Sequence, residues 1–106
     1  MAVQSPSIEL DTYILDVLMR DLVGHDRMPS AFLVYLHLAA RIEREMRPGI
    51  SASYAAIASA TGLSKSSVQT AIAHLARRSL ISMAKRSPTA TPVYRLERHW
   101  RRRWKR

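Results

Sequence analysis

Gly62 stands between two short helical patterns, and this junction constrains the fold more than any other feature of the sequence. Before it, Ser53 can cap an alanine-rich helix that runs to Ala60. After it, Ser64 can cap a further helix. Glycine adopts the left-handed backbone conformation at little cost, so it suits the end of a helix where the chain must turn sharply. The sequence therefore predicts two short helices joined by a tight turn.

The second of these helices is predicted over Ser64–Arg78. Its apolar face consists of Val68, Ile72 and Leu75, flanked by Ala71 and Ala76. At 100° per residue these side chains share one side of a helix, which indicates a face packed on a core. The opposite face carries Ser66, Thr70, Ala73 and Arg77, with Gln69 and His74 at its sides. That face is small, polar and basic.

The remaining chain predicts two earlier helices and a hairpin. Ile8–Val23 has apolar residues at three- and four-residue spacing, and a second helix of about 15 residues starts near Pro29-Ser30 and stops before Pro48-Gly49. Leu80–Arg86 and Val93–Leu96 alternate in the manner of strands and are joined by an exposed turn. The expected fold class is mainly α with a small β-hairpin: about four helices followed by a two-stranded wing.

The charge of the chain is concentrated in its second half. The net charge is +9, but residues 1–63 contain five arginines and seven acids, whereas residues 64–106 contain twelve bases and the single acid Glu97. The first part thus sums to −2 and the second to +11. A strongly basic half is typical of proteins that bind a polyanion such as nucleic acid.

The segment from Ser53 to Ile81 resembles the winged helix-turn-helix family of bacterial, archaeal and phage regulators. The resemblance rests on Ile57, Ala58, Gly62-Leu63-Ser64, Val68, Ile72, Leu75 and Leu80-Ile81. Ser79 departs from it, since the family often has glycine before this Leu-Ile pair. The resemblance implies one winged domain over residues 1–97 and a basic tail over 98–106. It also implies double-stranded DNA as the partner, with the helix 64–78 in the major groove and the wing on the backbone or minor groove.

The implied DNA contacts fall into three groups. Gln69 pairs well with adenine and hydroxyls suit several base edges, so the base-reading candidates are Ser66, Gln69, Thr70 and His74. Phosphates would be held by Ser64, Lys65, Arg77 and Arg78, while the small Ser67 lets the helix end approach the duplex. Lys85 and Arg86 on the wing would contact the backbone or the minor groove.

The tail over residues 98–106 has three interpretations. Trp100 and Trp104 lie one helical turn apart and would dock a C-terminal helix on the first helices, with its arginines outward. Alternatively, Arg101, Arg102 and Arg103 form an arm that binds phosphate or the minor groove, or the stretch rests on anionic lipid. The first two interpretations are compatible with each other.

The first two helices carry more apolar surface than a small core requires. We therefore expect a homodimer through these helices, which presents two recognition helices to a palindromic or repeated site. The leading function is transcriptional regulation. The alternative is a winged-helix module of a replication or other nucleoprotein assembly, acting by protein interaction or nonspecific DNA binding.

Other classes of function have little support in the sequence. The four histidines lie in different elements, and neither a zinc-protease pattern nor a phosphate-binding glycine loop is present, so no enzyme, metal or cofactor is expected. The chain has no cysteine, no signal-peptide pattern and no apolar run long enough for a membrane span. We expect a cytoplasmic, nucleoid-associated protein.

Overall fold

The structure, a computed structural model, describes residues 6–101 and is mainly helical with a small antiparallel sheet, as predicted. The N-terminal helix covers residues 12–25 and contains two π-helical stretches, Ile14–Leu18 and Arg20–His25. Three α-helices follow: α1 (Pro29–Glu45), α2 (Tyr54–Thr61) and α3 (Lys65–Arg77). The strands are β1 (Ile50–Ser51), β2 (Ile81–Ala84) and β3 (Val93–Leu96).

The N-terminal helix differs from the predicted α-helix in its winding and its limits. The backbone N–H of Met19 donates to the carbonyl of Ile14, and that of Asp26 donates to Asp21, five residues earlier in both cases. The wider turn keeps the four-residue repeat Ile14, Leu18 and Leu22 on one buried face. The helix begins after the predicted Ile8 and continues past Gly24, because glycine does not by itself end a helix.

Helix α1 forms the centre of the core. Pro29 opens it at a position where a missing backbone N–H costs nothing, and Met46 closes it in the left-handed conformation. Its buried side chains include Tyr35 and Leu38. The N-terminal helix, α2 and α3 all pack against it. Helix α1 thereby holds the helix-turn-helix segment against the rest of the domain.

The predicted helix-turn-helix is present, with the predicted caps. The Ser53 hydroxyl accepts the N–H of Ala56 at 3.0 Å and starts α2. Gly62 ends α2 with φ +83°, and its N–H donates to Ala58 at 2.9 Å. Leu63 is partly buried against the core between the two helices. The turn that the sequence predicts at Gly62 is confirmed.

Helix α3 ends at a residue that is strained for its type. Ser79 has φ +57°, a conformation that glycine adopts more readily. The N–H of Leu80 donates back to Leu75 at 2.9 Å, which closes the helix and directs the chain into β2. The departure of Ser79 from the usual glycine therefore leaves the helix ending intact.

The wing is part of a three-stranded sheet with strand order β1-β3-β2. Tyr94 on β3 lies opposite Ile50 on β1 and Met83 on β2. The sequence did not predict β1, because two residues are too few to show alternation. Gly49 precedes this strand, and a Cβ there would come within 2.9 Å of Val93. The added strand anchors the hairpin to the chain that leaves α1.

Candidate nucleic-acid interface

The N-terminal end of α3 is organised by serine hydroxyls. Ser64 is the N-cap, and its oxygen accepts the backbone N–H of Ser67 at 3.1 Å. The same hydroxyl lies 3.0 Å from the Ser67 oxygen and 3.2 Å from the Ser66 oxygen. This capping leaves the helix end small and polar, so that a ligand can approach it closely. Ser66 is exposed, while Ser67 is half-buried.

The outer face of α3 is free of contacts with the core. The exposed residues of α3 are Lys65, Ser66, Gln69, Thr70, Ala73, Ala76 and Arg77, whereas Val68, Ala71, Ile72 and Leu75 are buried as predicted. Ala76, which the sequence places beside the apolar face, is thus not part of the core. Three of the four predicted base-reading residues, Ser66, Gln69 and Thr70, therefore lie together on one accessible strip. Two of the predicted phosphate-binding residues, Lys65 and Arg77, lie at its two ends.

Two other predicted DNA contacts are directed away from this face. Arg78 Nη1 donates to Asp26 Oδ2 at 2.7 Å and to Oδ1 at 2.9 Å, and His74 Nε2 lies 2.8 Å from Oδ2. His25 Nδ1 lies 2.8 Å from Oδ1. Asp26, with its side chain only 6% exposed, needs such partners because a buried carboxylate without them is costly. His74 and Arg78 are thus engaged within the domain by Asp26, whereas the sequence predicts that they contact DNA.

The electrostatics of Asp26 agree with this arrangement. The hydrogen bond from His25 contributes most to lowering the pKa of Asp26 below its ordinary value, followed by the hydrogen bond from His74. The nearby charge of Arg78 lowers that pKa further. Asp26 is thus ionised at neutral pH and forms a charge-assisted contact with Arg78.

The wing extends the basic surface beyond α3. Lys85 directly follows β2, is exposed, and its Nζ lies 3.4 Å from the carbonyl oxygen of Pro88. Arg86 is exposed beside it. Arg95 on β3 is also exposed, although the sequence does not predict it as a DNA contact. The alternation of β3, with Tyr94 buried, was the available signal for Arg95, since its side chain must point outward.

A groove, the Lys65–Lys85 groove, separates the wing from the helix-turn-helix. It is lined by Ser53, Tyr54, Ala55, Lys65, Lys85, Thr89, Ala90, Thr91 and Pro92. The two lysines come from different elements, namely the first turn of α3 and the end of β2. Hydroxyl-bearing residues make up much of the remaining lining. A groove of this composition suits an anionic oxygen-rich ligand.

The start of the tail packs on the domain. Trp100 is buried and stacks on Tyr13, with ring centroids 4.4 Å apart, and its Nε1 donates to Asp11 at 2.7 Å. Arg101 also binds Asp11, through Nε at 2.7 Å and Nη2 at 2.8 Å. The sequence predicts that Arg101 contacts DNA, whereas in the structure it binds Asp11, directly before the N-terminal helix. The predictions for Arg102, Arg103 and Trp104 concern positions outside the described residues.

The contact of Asp11 with Arg101 predicts a pH-dependent stability. The hydrogen bond from Arg101, assisted by that from Trp100, lowers the pKa of Asp11 to about 2. Because this pKa is depressed in the folded state, the stabilisation is complete above pH ~4 and is lost as the pH falls toward 2. Because Arg101 is half exposed, solvent screening reduces the effect, and Asp11→Asn should lower the free energy of unfolding by about 1 kcal/mol at pH 7 and by a small fraction of that at pH 2.

Urea denaturation of both proteins at several pH values between 7 and 2 measures this difference. Glu9→Gln, at an exposed acid near the same helix, is the control and should leave the curve unchanged. A deficit of Asp11→Asn that stays constant over the whole pH range would contradict the assignment.

Among residues 6–101, no group of three or more histidine or acidic side chains is arranged to hold a metal ion. Within the same residues, no helix has both the length and the apolar character required to cross a bilayer.

Comparison with known proteins agrees with the geometry. Residues 28–81, just over half of the chain, match the helix-turn-helix domain family. Neither the comparison with curated proteins nor that with solved structures gives a match. The matched segment contains α1, the capped turn at Gly62 and the whole of α3, which are the elements that create the exposed polar strip. The chain therefore belongs to the helix-turn-helix domain family, whose fold is a DNA-binding one.

Proposed function

We propose that the protein is a sequence-specific, nucleoid-associated transcriptional regulator that binds double-stranded DNA without catalysing a reaction. Helix α3 enters the major groove, and the wing follows the adjacent backbone or minor groove. The observation that carries this proposal is the strip formed by Ser66, Gln69 and Thr70, which is exposed, small and free of core contacts. Cations at both ends of the strip and on the wing supply the attraction to phosphate.

The residues divide into two roles. Gln69 and Thr70 read base edges, because an amide forms bidentate hydrogen bonds with adenine and a hydroxyl both donates and accepts. Lys65, Arg77 and Lys85 bind phosphates and set the register of the helix on the duplex. His74 and Arg78 hold α3 in place through Asp26 and do not take part in either role.

Selection of bound molecules from random-sequence duplex DNA tests this division. The wild-type protein should enrich one short sequence, and Gln69→Ala should relax the preference at the base pair it contacts, a loss of about 1–3 kcal/mol of discrimination. Lys65→Ala is the matched control, since it should weaken binding to all sequences alike, by roughly eightfold at ~0.1 M salt, and keep the same preference. Enrichment of no sequence by the wild-type protein would leave only a nonspecific DNA binder.

We further propose that the active species is a homodimer formed through the N-terminal helix. Leu15, Met19 and Val23 follow one another at four-residue spacing on this helix and are 47%, 43% and 38% exposed. They form a continuous apolar stripe next to the buried stripe of Ile14, Leu18 and Leu22. An exposed stripe of this kind on a small domain is typical of a contact surface.

The charges beside the stripe favour a second copy of the same chain as its occupant. Asp16 and Arg20 lie on the solvent side of the stripe, one turn apart. When two such helices pack antiparallel about a two-fold axis near Met19, the same flanks meet and each Asp16 lies close to the partner's Arg20. The stripe is thus complementary to itself in both apolarity and charge, as an isologous interface requires.

A further inference from the structure

Asp26 connects two helices that are far apart in the sequence. It follows the last residue of the N-terminal helix, and its carboxylate binds His74 and Arg78 at the C-terminal end of α3. The N-terminal helix and α3 both pack against α1, so Asp26 adds a direct link between two elements that share a neighbour. His25 contributes a further contact to the same carboxylate from its own side.

The geometry of this link restricts rotation as well as distance. His74 and Arg78 are four residues apart and occupy successive turns of α3, so two anchor points lie along one side of the helix. The three distances from their nitrogens to the Asp26 oxygens lie between 2.7 and 2.9 Å, which is the range of charge-assisted hydrogen bonds. The link resists displacement because moving α3 would deprive the Asp26 carboxylate, whose side chain is only 6% exposed, of two of its three partners.

We propose that Asp26 is a positioning residue that fixes α3 relative to the N-terminal helix and thereby sets the spacing of the two half-sites that the dimer reads. This inference rests on the proposed function, in which the N-terminal helix is the dimer contact and α3 is the recognition helix. His25 and Asp26 precede the segment that matches the family, residues 28–81, so the link is an addition to that segment.

Recognition of one half-site spacing requires that the two recognition helices be held precisely, and a strong link at Asp26 serves this requirement. Adding one base pair between half-sites moves the second by about 3.4 Å along the duplex and rotates it by roughly a tenth of a turn. A dimer distinguishes two spacings that differ by one base pair only if the relative position of its two recognition helices varies by less than this shift. Asp26 supplies this restraint within each subunit, while the stripe of Leu15, Met19 and Val23 supplies it between subunits.

Selection from a random-sequence duplex library, with wild-type protein and with Asp26→Asn, tests the proposal. The wild-type protein should enrich paired half-sites at one spacing. Asp26→Asn should enrich the same half-site sequence over several neighbouring spacings, and its preference for the original spacing over one base pair more should fall from roughly tenfold to below about threefold. Glu45→Gln breaks the Arg41–Glu45 pair on the surface of α1 with the same change of charge, and should behave as wild type.

One unchanged spacing in both Asp26→Asn and wild type would overturn the inference and leave the proposed function standing. Single half-sites with the wild-type protein would refute the proposed homodimer and this inference together, and no enrichment at all would refute the proposed sequence-specific binding as well. If Asp26→Asn only reduced the fraction of folded protein, binding would fall at all spacings alike. The preference between spacings would then be unchanged, which would also count against the inference.

A measurement without DNA tests the link itself. The chain has no cysteine, so Thr12→Cys and Ala73→Cys, at exposed positions on the N-terminal helix and α3, allow two spin labels to be placed selectively. The distribution of distances between the two labels, measured in an excess of unlabelled protein, should be narrow in the labelled protein with Asp26 and broader after Asp26→Asn. Arg78→Gln removes one of the two partners on α3 and leaves His74, so it should broaden the distribution in the same direction but less, which covers the case in which Asp26→Asn does not fold. Equal widths in all folded variants would overturn the proposal.

Discussion

Replacing both Lys65 and Lys85 by alanine is expected to weaken binding to duplex DNA by about 60-fold at ~0.1 M salt. Both side chains are exposed and line the same groove between α3 and the wing. If each lysine neutralises one backbone phosphate, two contacts are lost, and each lost contact changes the slope of log K against log salt by about 0.9. The double variant should therefore have a slope smaller in magnitude by about 1.8, with its sequence preference unchanged.

Fluorescence anisotropy with a labelled random-sequence duplex, at several salt concentrations, measures the affinity and the slope together. Arg44→Ala with Arg47→Ala is the matched control, because it removes two exposed positive charges outside the Lys65–Lys85 groove. A control that loses as much affinity as the groove variant would mean that net charge, and not this groove, determines binding. If the slope of log K against log salt were unchanged after loss of both lysines, the groove would not be part of the DNA interface.

The parts of the fold that the sequence predicted correctly are those set by local chemistry. Glycine at position 62 and serines at positions 53 and 64 determine where two helices end and begin, because capping and left-handed conformations depend on few neighbours. The periodicity of Val68, Ile72 and Leu75 then determines which side of α3 is buried. With one face assigned to the core, the strip containing Gln69 and Thr70 was identified by elimination.

The features that the sequence does not reveal are contacts between residues far apart in the chain. Arg78 is separated from Asp26 by 52 positions, and Arg101 from Asp11 by 90, so no local pattern indicates that these charges meet. A basic side chain on a DNA-binding protein was therefore interpreted as a phosphate contact when a carboxylate of the same chain binds it. Strand β1 was missed for a related reason, since only its pairing with β3 defines it.

The second large effect is expected at the dimer stripe, where Met19→Glu should weaken self-association at least a hundredfold. In the antiparallel arrangement, Met19 lies near the two-fold axis and meets its own copy, so the substitution brings two carboxylates together in a contact that excludes water. Placing like charges opposite each other and removing them from solvent costs several kcal/mol, well above the 2.7 kcal/mol that corresponds to roughly a hundredfold. Sedimentation equilibrium at micromolar concentrations measures the change in dimer affinity directly.

Met46→Glu is the matched control, because Met46 is 89% exposed, lies beyond α1 away from the stripe, and undergoes the same substitution. The charge pairs provide an independent check. Asp16→Arg alone or Arg20→Asp alone should weaken the dimer, since each places like charges together, whereas the two changes combined should restore it. Restoration by the double exchange is specific to an antiparallel pair, because only then do equal flanks of the two helices meet. A wild-type protein that stays monomeric at tens of micromolar, both free and on DNA, would exclude the homodimer.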